Sequence, residues 1–140
     1  MSKEEENKAV VRRIEEEIIE KGDWSVLPDH ITPNFVLHEI NQDYRGQEGL
    51  KQLITHLRSV FPDYYQTIEY MVAEGDMVAI FYTIGGTFKG ELLGIAPTGK
   101  GITFKEAVLA RFENGKQAEV WVYYDALTFY KKLGISPPSG

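Results

Sequence analysis

Cysteine is absent from this chain of 140 residues, which removes disulfides, thiolate nucleophiles and zinc-thiolate sites together. A reducing compartment, the cytoplasm, is the expected setting. Long apolar runs are missing too: no window approaches the roughly 18 apolar residues that a helix needs to cross a bilayer. The first ten residues, MSKEEENKAV, carry charge where a secretion signal carries an apolar stretch. A membrane is therefore not an expected partner. Positive charge is scarce, with 15 Lys and Arg against 21 Asp and Glu and a net charge of -6. That balance repels a phosphate backbone, and no basic cluster interleaves with aromatic residues, so nucleic acid is not an expected partner either. His30 and His56 lack neighbours at metal-ligand spacing and read as structural. Without cysteine a metal site needs clustered carboxylates that the sequence does not supply, and no metal is expected. The glycines near Lys100 do not form a phosphate loop, because Gly99-Lys100 is followed by Gly101 and no strand-to-helix passage accompanies them.

What the chain does contain is ordinary for a globular protein. The hydrophobic share of 43% and charged share of 26% argue for a packed core, and at this length one core suffices, giving a single domain over residues 1–140. In residues 3–21, Val10, Val11, Ile14, Ile18 and Ile19 recur at three- and four-residue steps, which predicts an amphipathic helix ended by Gly22. Asp23 caps a short second helix with Trp24 and Leu27. Residues 35–39 form a short strand, and Leu50, Leu53, Ile54, Leu57 and Phe61 form another helical stripe, which Pro62 ends. The period then changes to two. Residues 67–72, 77–88, 102–112 and 118–124 read as strands, with turns at Gly75-Asp76 and at ENGK over 113–116. A last helix over 126–133 stops at Gly134, and the tail ISPPSG is too rich in Pro and Gly to continue regular structure. This order predicts an α+β domain in which a curved, mainly antiparallel sheet wraps around three helices and leaves a pocket.

Several segments carry a resemblance to a known family. NKAVVRRIEEEIIEKGDW, NFVLHE and RGQEGLKQLITHLRSVFPDY open the match, and GTFKGELLGIAPTGKGITF over 86–104 is its most specific part. There Gly90, Gly94, Ile95, Pro97, Thr98 and Gly99 supply a G-x-x-x-G-I-x-P-T-G pattern. EVWVYYDAL over 119–127 closes it. In these pieces and their order the chain resembles the SnoaL-like polyketide cyclases, or ester cyclases, of the NTF2-like (cystatin-like) superfamily. The resemblance implies a cone-like fold, homodimerisation through the sheet, no metal or organic cofactor, and an acid/base aspartate on the last strand, which falls on Asp125. It also implies a histidine near the pocket at His38. Phe88 and Val120 depart from the pattern, each standing where the family often has histidine.

Strand parity sharpens these candidates. Trp121, Tyr123 and Asp125 share one face of a strand, so if Trp121 lines the pocket Asp125 does as well, and an aromatic surround raises its pKa toward a useful base. The alternative for Asp125 is to cap the helix that begins at Ala126. His38 either orients a substrate oxygen or serves as an ordinary hydrogen-bonding residue at a strand end. Glu106 is in phase with Phe104, Val108, Ala110 and Phe112, which points it inward as a second acid/base group unless a bulge exposes it. Tyr82 and Phe88 form an aromatic wall, and Leu57 and Phe61 close the far side, unless all four are simply core.

The expected function is a cofactor-independent acid/base enzyme acting on a small apolar carbonyl compound by intramolecular aldol-type chemistry. A non-catalytic carrier of small apolar ligands, and other NTF2-like activities such as isomerase or epoxide hydrolase, stand beside it, because fold alone does not fix activity.

Overall fold

Ser2 starts the first helix by accepting the Glu5 N–H on its Oγ at 3.1 Å, a cap for one of the amides that a helix start leaves unpaired. In the computed structural model, which describes residues 1–136, α1 spans Lys3–Arg13, with Glu4, Glu5 and Glu6 in its first turn and Arg12 and Arg13 in its last. Both ends suit the helix dipole. The chain then continues as a π-helical segment, Ile14–Glu20. The helix predicted over 3–21 is therefore present, but its pitch widens half-way, and Gly22 at φ +66° ends it. A 3-10 turn at Trp24–Val26, capped by Asp23, runs into the single turn of α2, Leu27–His30.

Six strands follow or flank the third helix: β1 (Ile31–His38), β2 (Asp43–Arg45), then α3 (Gly46–Val60), β3 (Tyr65–Glu74), β4 (Met77–Thr87), β5 (Gly101–Glu113) and β6 (Lys116–Tyr124). They form one curved, unclosed sheet in the order β2-β1-β6-β5-β4-β3. All neighbours are antiparallel except β1 and β6. The strand predicted at 35–39 is the end of a longer one, and β2 had no period-two signal because it is only 3 residues long. α4 (Ala126–Leu133) closes at Gly134, φ +81°. Of the predicted irregular tail, residues 137–140 lie outside the described residues.

Alternation along the strands gives the sheet two unlike faces. The inner face carries Val78, Ile80, Tyr82 and Ile84 from β4 and Val120 and Val122 from β6, all buried against α1 and α3. A second cluster under α4 packs Phe88, Phe61, Phe129 and Leu133. Phe88 lies just past the end of β4 and is fully buried there. It belongs to this cluster and not to an aromatic wall with Tyr82, because the strand's alternation stops at Thr87.

The glycine-rich connection after Phe88 has a steric reason. A Cβ on Gly90 would lie 1.9 Å from the Ser59 carbonyl oxygen, and this close approach lets Lys89 and Gly90 donate their N–H groups to Val60 O at 3.0 Å each. The loop is thereby stitched to the end of α3.

Candidate active site

Between the inner face of the sheet and the helices lies a cavity of about 150 Å³, a size that accommodates a benzene-like group. Most of its wall is apolar: Val11, Phe35, Leu53, Leu57, Phe61 and Ile80 all contribute. Three carboxyl groups interrupt that wall, from Glu15, Glu39 and Glu106.

Glu106 sits on β5, where cross-strand register places Tyr82 of β4 on one side and Tyr124 of β6 on the other. The three side chains form one row across the inner face. Glu106 makes no side-chain hydrogen bond among the described residues, so nothing offsets the loss of hydration. Burial pushes its pKa up to about 8, and repulsion from Glu39 adds to the effect. Glu39, just past β1, is raised by burial as well, opposed by the Ile40 N–H that donates to its Oε1 at 3.2 Å. Burial also holds the Tyr64, Tyr82 and Tyr124 hydroxyls well above the usual phenol range, with neighbouring carboxylates contributing, so all three stay protonated.

Glu15 enters from the π-helical segment. Its Oε2 accepts the Gln66 amide at 2.6 Å, and Gln66 in turn accepts the Tyr64 hydroxyl at 2.7 Å. Burial raises the Glu15 pKa to about 7, with the Gln66 hydrogen bond opposing.

Several sequence candidates lie elsewhere. Trp121 and Tyr123 do share a face, as parity requires, but it is the outer one. β6 turns Val120, Val122 and Tyr124 to the cavity, and Tyr123 is 60% exposed. Parity sorts residues into two sets without saying which set goes inside, and here the more apolar set does. Asp125 falls beyond the strand, exposed, and is the N-cap of α4: its carboxylate accepts the Thr128 N–H at 3.1 Å and the Thr128 hydroxyl at 2.7 Å. Those two bonds hold its pKa below the usual carboxylate range, the reverse of the expected shift. Asp125→Ala is expected to lower the melting temperature by roughly 3 °C, the usual size of a lost cap, and to leave ligand binding in the cavity unchanged when measured by calorimetry.

His38 also faces outward. Its Nε2 lies 2.6 Å from Glu119 Oε2 and its Nδ1 2.9 Å from Asp43 Oδ1, while its ring stacks on Trp121 at 5.5 Å. A carboxylate at each nitrogen favours the imidazolium, the form that can donate to both, and Glu119 first and Asp43 second raise its pKa. Arg111 joins Glu119 to this network at 3.4 Å. His30 pairs with Glu17 at 2.9 Å. Among the described residues no group of three or more His, Cys, Asp or Glu is placed to hold a metal ion.

Of the named candidates the cavity brings together Glu106, Tyr82, Leu57 and Phe61. Sequence reasoning missed Glu15, Glu39 and Tyr124. A signal existed for two of them. Tyr124 is in phase with Val120 and Val122, and Glu15 stands four residues after Val11 and four before Ile19, inside the apolar stripe of its helix.

A sequence model of the SnoaL-like polyketide cyclase family matches residues 9–133. The chain belongs to that family. Solved structures agree in shape. A candidate SnoaL-like polyketide cyclase from Jannaschia sp. CCS1 is 25% identical with a TM-score of 0.86, over 99% of this chain and 98% of that one. A candidate polyketide cyclase from Acidithiobacillus ferrooxidans is 27% identical with a TM-score of 0.79, over 96% and 98%. IdmH of Streptomyces antibioticus, also a candidate polyketide cyclase, is 25% identical with a TM-score of 0.77, over 92% and 99%. The fold is the NTF2-like one that the family shares. No curated protein matches the sequence. Among the described residues no helix is long and apolar enough to cross a membrane.

Proposed function

We propose that this SnoaL-like protein is an acid/base enzyme that needs no cofactor and closes a ring in a small apolar carbonyl compound, with Glu106 moving the proton. One observation carries the reading: an unpaired carboxyl set in an apolar cavity between two tyrosines, with a pKa raised to about 8. A group that titrates near neutral pH both takes and returns a proton at useful rates.

The chemistry balances without a redox partner. Ionised Glu106 removes the proton beside a carbonyl, and the resulting carbanion bonds to a second carbonyl carbon of the same molecule. The new alkoxide then recovers the proton from Glu106. Tyr82 and Tyr124 stay protonated and flank Glu106, so their hydroxyls are suited to donate to the developing enolate oxygen. The apolar wall keeps water from competing for the carbanion.

The experiment is a turnover screen of small aromatic and polyketide-like diketones and esters with the wild type and Glu106→Gln. Turnover that depends on Glu106 supports the enzyme. Binding with no turnover in either protein supports the second reading, a non-catalytic carrier, which draws its support from the family's aspartate position serving as a helix cap.

Two copies are also proposed to pair through the outer sheet face. There Phe81, 43% exposed, and Tyr123 flank Ala107 in one cross-strand row, with Tyr70 opposite Phe81. Apolar surface gathered in one patch of this kind marks an interaction face. Phe81→Glu is expected to convert a dimer to a monomer in light scattering, and a wild type that runs as a monomer overturns the pairing.

A further inference from the structure

Glu15 and Glu39 are the cavity carboxyls that the proposed proton transfer leaves without a task, and of the two Glu15 is the one with a buried oxygen left unpaired. It is only 8% exposed, and it lies where the helix changes from α to π pitch. Such a π segment re-aims a side chain at the cost of regular hydrogen bonding, and it is found often at functional sites. One of its oxygens, Oε2, is fixed by the Gln66 amide, itself oriented by the Tyr64 hydroxyl. The other, Oε1, is buried with no hydrogen-bond partner among the described residues, at the end of a side chain that lines the cavity. A buried polar atom left in this state is costly, and a ligand group that satisfies it recovers that cost on binding.

We infer that Glu15 Oε1 is a recognition point for a hydroxyl group of the ligand, so that the cavity takes a compound carrying a carbonyl for Glu106 and an alcohol or phenol for Glu15. The inference rests on the reading of the cavity as a ligand site and deepens it. A hydroxyl is singled out because it donates as well as accepts. It satisfies Glu15 whether that carboxyl is ionised, needing a donor, or protonated, needing an acceptor. An ether or carbonyl satisfies only the protonated form, and an ammonium only the ionised one. A ligand carboxylate adds a further negative charge to an apolar cavity that already holds Glu15, Glu39 and Glu106. Gln66 and Tyr64 act through Glu15: by holding Oε2 they leave Oε1 as the free end of the carboxyl.

The test is direct binding of three single-ring probes by calorimetry: para-(hydroxymethyl)acetophenone, its methyl ether, and para-ethylacetophenone, in which a methyl replaces the hydroxyl at nearly equal size. At about pH 8, where Glu15 with its pKa of about 7 is mostly ionised, the wild type is expected to bind the alcohol about tenfold more tightly than either of the others, the usual consequence of leaving a buried acceptor unpaired. Glu15→Leu is expected to invert the order and favour the ethyl compound. Glu15→Gln keeps the shape of the side chain, and its amide donates to alcohol and ether oxygens alike. Its preference for the alcohol over the ether therefore falls to about one, while Glu106→Gln retains the wild-type order. Equal affinity of the wild type for the three probes, a preference that survives Glu15→Leu, or no binding of any probe overturns the inference. These ratios need no turnover. A cavity that selects the alcohol but converts nothing upholds this inference and sinks the catalytic reading, and turnover without hydroxyl selection does the opposite.

Discussion

Glu106→Gln is expected to lower turnover of a reactive diketone by about a hundred- to ten-thousand-fold, the range that general acid/base catalysis contributes, with substrate affinity changed only a few-fold. The amide matches the carboxyl in size and keeps the row between Tyr82 and Tyr124 filled, so the cavity persists while the proton acceptor is lost. The effect therefore falls on kcat and not on KM. Direction follows from the raised pKa. A carboxyl held at about 8 is mostly protonated at neutral pH, and the base form grows as pH rises. The kcat/KM of the wild type should climb with pH and level off above about 8, and the residual rate of the variant should show no such rise. Asp125→Asn should leave both the rate and its pH profile within a few-fold of wild type, because Asp125 lies outside the cavity. A full rate in Glu106→Gln, or a hundredfold loss in Asp125→Asn, overturns the assignment.

The contrast between these two acids shows what the sequence contains and where it stops. Glu106 was legible because it breaks an otherwise apolar set, Phe104, Val108, Ala110 and Phe112, and a strand has only two faces. β5 keeps an unbroken register against β4 over its length, so phase alone carried the residue inward. Asp125 failed on a different point. β6 ends at Tyr124, and at Asp125 the chain has already turned to start α4, so strand parity does not reach it. Trp121 is expected inward although three apolar or aromatic partners, Val120, Val122 and Tyr124, stand on the other side of β6, and His38, which the family resemblance puts near the pocket, faces outward beside it. The helices and long hairpins were readable because their signals are local: caps, period and turn residues. Glu15 carried a weaker signal. It stands in the apolar stripe of its helix, four residues from Val11 and from Ile19, but only packing against the sheet shows that its carboxyl is buried.

The same buried acids predict an inverted pH dependence of stability. Glu15 and Glu106 hold their protons to about 7 and about 8 in the folded protein against an ordinary value of 4.5. Below that ordinary value both states are protonated and nothing is lost. As pH rises above it, the unfolded chain releases these protons while the folded one keeps them, so unfolding gains. Each such proton contributes up to about 1.4 kcal/mol per pH unit, and with both groups stability should fall by on the order of 6 kcal/mol between about pH 5 and pH 8. His38 works in the same direction, because its raised pKa gives stability that is complete below its ordinary 6.5 and lost as pH climbs through the folded value. Asp63, Glu119 and Asp125 have lowered values and act oppositely, but only as pH falls through the acid range beneath their ordinary 3.8 to 4.5. Urea denaturation across this range should therefore give greatest stability near about pH 5. Glu106→Gln should match the wild type there and exceed it at about pH 8, since the amide has no proton to lose. A flat or rising wild-type profile would show that both carboxyls are hydrated and ordinary, and with that the case for Glu106 as a tuned base would go. If the fall is seen, the protein is carrying an unfavourable carboxyl in its cavity at neutral pH, a sacrifice of stability that a purely structural domain has no reason to make.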